Sequence, residues 1–245
     1  MRIKQNALIP YFTLGDPNLG FTEKLVRAAF DSGADVVELG IPFSDPIADG
    51  PVIQASHQRA LGATVDDGFA LVAKFKGKPI VFMIAVNLVF HYGIAAFFKK
   101  AAQAGLAGVI VPDLPVEEAK DYIRYSKQYG IAMIFLVSPL CDPKRLKMIV
   151  QASEGFVYLI SSTGTTGERK DISSDLESIV KKIKKIRNIP VAVGFGVSKK
   201  EHLEKIYAYA EGAIIGSYFV RMIEENPNQA IAQISAKVKE FKIVA

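Results

Sequence analysis

Short runs of apolar, often β-branched residues alternate along this chain with longer stretches in which apolar residues recur every three to four positions. The first pattern is typical of strands buried on both faces, and the second is typical of amphipathic helices. Eight runs predict strands, at residues 8–12, 35–39, 80–84, 108–111, 132–137, 156–160, 191–194 and 213–215. Eight helices are predicted between and after them, near residues 21–31, 65–75, 94–104, 117–128, 144–150, 174–186, 199–208 and 227–241.

Capping motifs and glycines at the predicted helix ends support these elements. Two Ser-x-x-Glu patterns, which begin at Ser174 and Ser198, predict capping boxes at helix starts. Glycines are expected at helix C-termini, where a left-handed backbone is common. Five occupy such positions between a predicted helix and the next strand: Gly33, Gly105, Gly130, Gly155 and Gly212.

Eight strand–helix units in 245 residues predict an α/β fold, a (β/α)8 or TIM barrel, in a single domain that spans residues 1–245. The active site of such a barrel lies at the C-terminal ends of its strands. The alternative is an open, doubly wound sheet, which usually carries a glycine fingerprint after its first strand. The turn at residues 13–17 lacks that fingerprint, so the barrel is favoured.

Two carboxylates stand near the end of the second predicted strand. Glu38 shares one strand face with Val36 and Gly40, and burial there would raise its pKa, which suits a general acid. Asp49 follows in a loop rich in glycine and proline. Two carboxylates in different surroundings suit acid–base chemistry near neutral pH. Residue types alone leave open a structural ion pair for Glu38 and an ordinary turn role for Asp49.

Three glycine-rich segments follow the last three predicted strands, at residues 161–167, 194–198 and 216–217. Glycine lets the backbone approach an anion closely, and a helix N-terminus presents N–H groups to it. In barrels of this type the loops after strands seven and eight commonly bind phosphate. The pattern therefore predicts a small phosphorylated substrate.

Composition narrows the alternatives. The net charge is +5, but lysines alternate with apolar residues in the predicted helices and tryptophan is absent, so no nucleic-acid partner is expected. Apolar runs are too short for a membrane span, and the single cysteine, Cys141, fits a cytoplasmic setting. Three histidines lack ligand spacing, so no metal site is predicted.

Five sequence motifs resemble the α subunit of tryptophan synthase, in the same order and at compatible spacing. They are PYFTLGDP at residues 10–17, ELGIPFSDPIADGP at 38–51, VPDLP at 111–115, TGTTG at 163–167 and GFGVS at 194–198. The second motif is long and specific, whereas the glycine motifs alone are weak. The likeness extends from about residue 8 to the C-terminal helix.

This resemblance implies a (β/α)8 barrel lyase that cleaves indole-3-glycerol phosphate to indole and glyceraldehyde 3-phosphate. It implies that Glu38 is the acid–base residue, that Asp49 binds the indole N–H and stabilises the cationic intermediate, and that Tyr158 lies beside the reacting centre. The remaining implied contacts are Gly167, Phe195, Gly196, Gly216 and Ser217 with phosphate, Tyr11, Met83 and Ile110 with indole, and Thr166 with Asp49 on loop closure.

The resemblance also implies a partner. Family members pair with a β subunit that holds pyridoxal phosphate, in an α2β2 heterotetramer, so no cofactor is expected in this chain. The implied contact surface contains Pro51, Asn87, Asp113 and Pro115. Another phosphate-binding barrel enzyme and a mainly allosteric subunit with little catalysis of its own remain as alternative functions.

Some features depart from the family pattern or concern its loops. Tyr11 replaces a frequent phenylalanine, and Ala85 stands where tyrosine is common. The chain begins close to its first predicted strand, so we expect the bottom of the barrel to be covered differently. The loops at residues 44–53 and 162–171 are predicted to be mobile without ligand and to become ordered when phosphate binds.

Overall fold

A parallel sheet forms the centre of the computed structural model, which describes residues 1–160, 172–194 and 196–242, without side chains for 172–174. Its strands are β1 Ala7–Thr13, β2 Val37–Gly40, β3 Ile80–Met83, β4 Gly108–Ile110, β5 Ala132–Ile134, β6 Leu136–Val137, β7 Val157–Ile160, β8 Val191–Gly194 and β9 Gly212–Ile215. They pair in the order β5-β4-β3-β2-β1-β9-β8-β7-β6. The strand predicted at residues 132–137 is divided into β5 and β6, with only Phe135 between them. Because β5 and β6 stand at the two ends of the strand order, this segment closes the sheet into a barrel. The predicted barrel is confirmed.

Helices surround the sheet. They are α1 Leu19–Asp31, α2 Pro51–Arg59, α3 Val65–Ala73, α4 Val86–Tyr92, α5 Ile94–Ala104, α6 Lys120–Tyr129, α7 Pro143–Ala152, α8 Ile172–Ile186, α9 Lys200–Tyr207, α10 Ser217–Glu225 and α11 Pro227–Lys242. All eight predicted helices are present, and α2, α4 and α10 are additional. None of the helices in the described part of the chain is long and apolar enough to cross a membrane.

The two predicted capping boxes are wrong. Helix α8 begins at Ile172, so Ser174 lies inside its first turn. Helix α9 has Lys199 as its N-cap, without a side-chain cap, and the Ser198 amide instead donates to Nδ1 of His202 at 3.4 Å. The glycine predictions fare better, since Gly105 and Gly130 are left-handed C-caps of α5 and α6. Gly212 instead begins β9.

Two apolar layers hold the barrel together. The larger one lies between the strands and the surrounding helices. The smaller one fills the barrel interior with Ile3, Ala7, Ile9, Val36, Val81, Ile110, Ala132, Ile134, Phe156, Ala192 and Ile214. Burying each isoleucine or valine stabilises the fold by about 1.5–3 kcal/mol. The barrel interior is thus packed largely with apolar side chains.

Candidate active site

Glu38 points into the barrel from the middle of β2. Its strand neighbours are Tyr11 of β1 and Val81 of β3. The side chain is fully buried, and neither carboxylate oxygen has a hydrogen-bond partner among the described residues. Burial, reinforced by the negative charge of Asp49, raises the pKa of Glu38 to about 8. The group therefore carries a proton at neutral pH and can donate it to a bound molecule.

Asp49 lies in the connection between β2 and α2. Its side chain is 16% exposed, and Oδ2 lies 3.7 Å from Nε2 of His57. Its backbone carbonyl accepts a hydrogen bond from Nε2 of Gln54 at 2.8 Å, which ties the loop to the first turns of α2. Burial raises the pKa of Asp49 to about 6, so this carboxylate is mostly ionised at pH 7. The site thus pairs an acid with an anion.

His57 is a site residue that the sequence analysis did not single out. It is buried on α2, and burial lowers its pKa to about 4, so the imidazole is neutral. Its Nε2 lies 3.1 Å from the Tyr11 hydroxyl. The missed signal is helical periodicity: Ile53, Ser56, His57 and Ala60 recur at i, i+3, i+4 and i+7, and all four are buried.

Tyr158 and two apolar side chains complete the inner surface. Tyr158 lies on β7 with its ring against Gly194, where an added Cβ would come within 2.6 Å of the ring. Burial, followed by the charges of Glu38 and Asp49, raises the pKa of Tyr158 well above its usual value. Met83 pairs with Ile110 across β3 and β4. Met83 packs against the interior layer, which includes Ile110 and contacts Tyr158. It also packs against a small cluster formed by Tyr11, Ile53 and Val220.

The described members of the predicted phosphate set follow β8 and β9, at the same C-terminal rim as the two carboxylates. Gly216 is the N-cap of α10 and Ser217 is its first residue. An ideal Cβ built at Gly216 would lie 3.6 Å from Tyr11 and from Ile53, which places this helix start beside the indole-side residues. Gly196 has open space around its Cβ position. Thr166, Gly167 and Phe195 lie outside the described residues.

Comparison with known proteins identifies the family. The family model described as tryptophan synthase alpha chain matches residues 1–245. This chain belongs to the tryptophan synthase alpha chain family. The alpha chain of Thermoanaerobacter sp. is 42% identical over 242 residues, covering 97% of this chain and 91% of that relative. The Methanocaldococcus jannaschii alpha chain is 43% identical over 228 residues, covering 91% and 81%.

Solved structures show the same family. The tryptophan synthase A-subunit of Pyrococcus furiosus superposes with a TM-score of 0.89 at 40% identity and covers 98% of each chain. A structure of Mycobacterium tuberculosis tryptophan synthase gives a TM-score of 0.90 at 36% identity, covering 98% of this chain and 92% of that one.

This tryptophan synthase alpha chain homologue has a constricted pocket beside Asp49. The cavity is only about 20 Å³, and its lining includes Asp49, His57, Met83 and Ala85. That volume holds about one water molecule. The loop predicted at residues 44–53 is shorter than expected, because α2 already begins at Pro51.

Proposed function

We propose that this chain cleaves indole-3-glycerol phosphate to indole and glyceraldehyde 3-phosphate, with Glu38 as the acid–base residue. The single observation that carries this proposal is the state of Glu38: fully buried, without a hydrogen-bond partner among the residues that the structure describes, and with a pKa of about 8. Unpaired buried carboxyl groups are rare and costly, and they are concentrated at functional sites.

The two carboxylates fit the steps of a retro-aldol cleavage. Glu38 donates its proton to C3 of the indole ring, and the resulting positive charge on the ring nitrogen is stabilised by the Asp49 carboxylate. The Glu38 carboxylate then takes the proton of the glyceryl hydroxyl. The carbon–carbon bond breaks, its electron pair neutralises the indole ring, and the aldehyde forms. Glu38 gives one proton to C3 and gains one from the hydroxyl, so the protons balance without an external reagent.

The remaining residues hold the substrate. We assign the phosphate to Gly196, Gly216 and Ser217, with Gly167 and Phe195 of the undescribed segments, because a helix N-terminus favours an anion. Tyr11, Met83 and Ile110 line the indole side and Tyr158 the reacting centre, while Thr166 would approach Asp49 on closure. Binding energy at the phosphate, remote from the breaking bond, can be used to orient the reacting carbon.

We further propose a β-subunit partner that holds pyridoxal phosphate, in an α2β2 assembly. Ile47, Phe90 and Leu140 are the three most exposed large apolar side chains of the described residues, at 81%, 71% and 88% exposure. Each follows a strand, after β2, β3 and β6, so all three lie on the C-terminal face. Of the expected contacts, Pro51 begins α2 after β2, Asn87 lies in α4 after β3, and Asp113 and Pro115 lie in the connection after β4. We infer that these exposed side chains form part of the contact surface for the β subunit.

An indole-release assay tests both proposals. Purified chain is incubated with indole-3-glycerol phosphate, alone and with the β subunit of the same organism. We expect slow indole release alone and faster release in the complex. Release that is undetectable in both arms would favour a different phosphate-binding barrel enzyme. Activation of the β subunit by this chain without any indole release would favour a mainly allosteric subunit.

A further inference from the structure

A chain of hydrogen bonds links α2 to β1 beside the two carboxylates. The Phe43 amide lies 3.1 Å from Nδ1 of His57, and Nε2 of the same ring lies 3.1 Å from the Tyr11 hydroxyl. The Tyr11 hydroxyl is 3.3 Å from Oγ1 of Thr13, and Oγ1 is 2.5 Å from Oγ of Ser56. Oγ of Ser56 donates to the Ile53 carbonyl at 2.7 Å.

The start of this chain fixes the state of the imidazole. A backbone amide can only donate, so Nδ1 of His57 must accept and carries no hydrogen. Burial keeps the ring neutral by lowering its pKa to about 4, so its one hydrogen lies on Nε2. The Tyr11 hydroxyl oxygen therefore accepts from His57.

The other end fixes the hydroxyl groups. A carbonyl can only accept, so the single hydrogen of Ser56 is used on Ile53. Thr13 must then donate to Ser56, and Tyr11 must donate to Thr13. Each hydroxyl gives one bond and receives one, and the direction obtained from this end agrees with the direction obtained from His57.

The hydrogen-bond chain also joins the two ends of the loop that carries Asp49. Phe43 lies at the start of that loop, and the members on α2 follow its end at Pro51. Nε2 of His57, whose hydrogen is bonded to Tyr11, also lies 3.7 Å from Oδ2 of Asp49. A partially positive hydrogen therefore lies near the anion that the proposed reaction requires.

We propose that His57 is a positioning residue: its Nδ1 anchors the start of the Asp49 loop, and its Nε2–H holds the Tyr11 hydroxyl and faces Asp49. The proposal rests on the proposed function for its catalytic consequence, but the hydrogen-bond chain itself does not. The Tyr11 hydrogen is committed to Thr13 and is not donated to Glu38, whose oxygens have no hydrogen-bond partner among the described residues.

Nitrogen NMR on the intact chain tests the arrangement without any assay of activity. The chain has three histidines, and the signals absent from a His57→Asn sample identify this ring. Long-range proton–nitrogen correlations distinguish the two neutral tautomers. We expect a neutral Nε2–H ring from pH 8 to about pH 5. An Nδ1–H tautomer, or protonation near the usual pKa of histidine, would overturn the proposal.

Kinetics with two matched variants test the positioning role. His57→Asn can still accept from the Phe43 amide but lacks the donor toward Tyr11, whereas His57→Gln can still reach Tyr11 with an N–H. We expect His57→Asn to lower kcat/KM roughly three- to tenfold, the worth of one hydrogen bond, and His57→Gln to recover most of that loss. Equal losses in both variants would indicate a merely structural side chain and contradict the proposal.

A double-mutant cycle with Tyr11→Phe completes the test. If His57 acts through the Tyr11 hydroxyl, His57→Asn should cost no more than about a further twofold in the Tyr11→Phe background. Full additivity would contradict the proposal. If the parent chain releases no indole, the proposed function fails, and the NMR measurement still decides whether the hydrogen-bond chain exists.

Discussion

Two buried polar regions lie side by side at the rim of this barrel, and they are built in opposite ways. In the hydrogen-bond chain from Phe43 to Ile53, every side-chain hydroxyl both donates and accepts. Glu38 is fully buried, and both of its oxygens lack a partner among the described residues. Tyr11 belongs to the first region, and its backbone lies opposite that of Glu38 in the register of β1 and β2.

The difference separates support from chemistry. A satisfied network fixes positions, because each bond would have to be broken for a member to move. An unsatisfied buried carboxyl group is destabilising, and it survives where its high proton affinity is useful. Glu38 is thus held in a destabilising environment by neighbouring side chains whose own hydrogen bonds are all satisfied.

The largest effect is expected from Glu38→Gln on activity. The amide is similar in size to the carboxyl group but cannot donate and recover a proton, so indole release should fall at least about a thousandfold. Circular dichroism should show an unchanged fold. The matched control is Glu225→Gln, an exposed position at the end of α10. Activity of the Glu38 variant within about tenfold of the parent would remove Glu38 from its role.

The barrel could be predicted from the sequence because its strands are buried on both faces. Val191–Gly194 and Gly212–Ile215 are as apolar as their burial requires, so the pattern was clear. The fifth strand was predicted as one run, although the backbone breaks its pairing at Phe135. Apolarity does not encode that break, since the residues on both sides of it, Ile134 and Leu136, are equally apolar.

The site was harder to predict in full. Glu38 stood out as a charge inside an apolar run, whereas His57, Thr13 and Ser56 did not. Their roles depend on α2, a nine-residue helix with a short and partly polar buried face. Helix α10 is not predicted from the sequence, because Gly216 and Ser217 are interpreted only as a phosphate-binding segment. The periodicity of Phe219, Val220 and Ile223, all buried, would have revealed it.

The second prediction concerns the free energy of unfolding as a function of pH. Burial raises the pKa of Glu38 to about 8, above its usual value of 4.5, so between these values the folded state binds more protons than the unfolded state. Stability contributed by this group is therefore present at low pH and is lost as pH rises toward 8.

Chemical denaturation of the parent and Glu38→Gln at pH 6 and pH 9 measures this loss. The parent should lose about 2 to 3 kcal/mol relative to the variant across that interval, at about 1.4 kcal/mol per pH unit up to the folded pKa. Asp49 titrates in both proteins, so its contribution largely cancels. A constant difference between the two proteins from pH 6 to pH 9 would mean that Glu38 titrates normally.

The smallest effect is expected from a substitution in the hydrogen-bond chain. It should lower the free energy of unfolding, whereas Glu38→Gln at high pH should raise it relative to the parent. Ser56→Ala removes the last donor of the hydrogen-bond chain and leaves the Thr13 hydroxyl without its acceptor, so it should destabilise the fold by about 1 to 2 kcal/mol. Ser153→Ala is the matched control. Ser153 is equally buried and donates to the Ile149 carbonyl, but that carbonyl also accepts from the Ser153 amide.

Removing the Ser153 hydroxyl therefore leaves no group unpaired, and its loss should cost about 0.5 kcal/mol or less. The measurement is the midpoint of urea unfolding at a pH where Glu38 is protonated, such as pH 6. A Ser56 variant as stable as the Ser153 variant would mean that the chain of bonds is not cooperative. Opposite signs for Ser56→Ala and for Glu38→Gln at high pH would establish that adjacent buried polar groups serve this barrel in different ways.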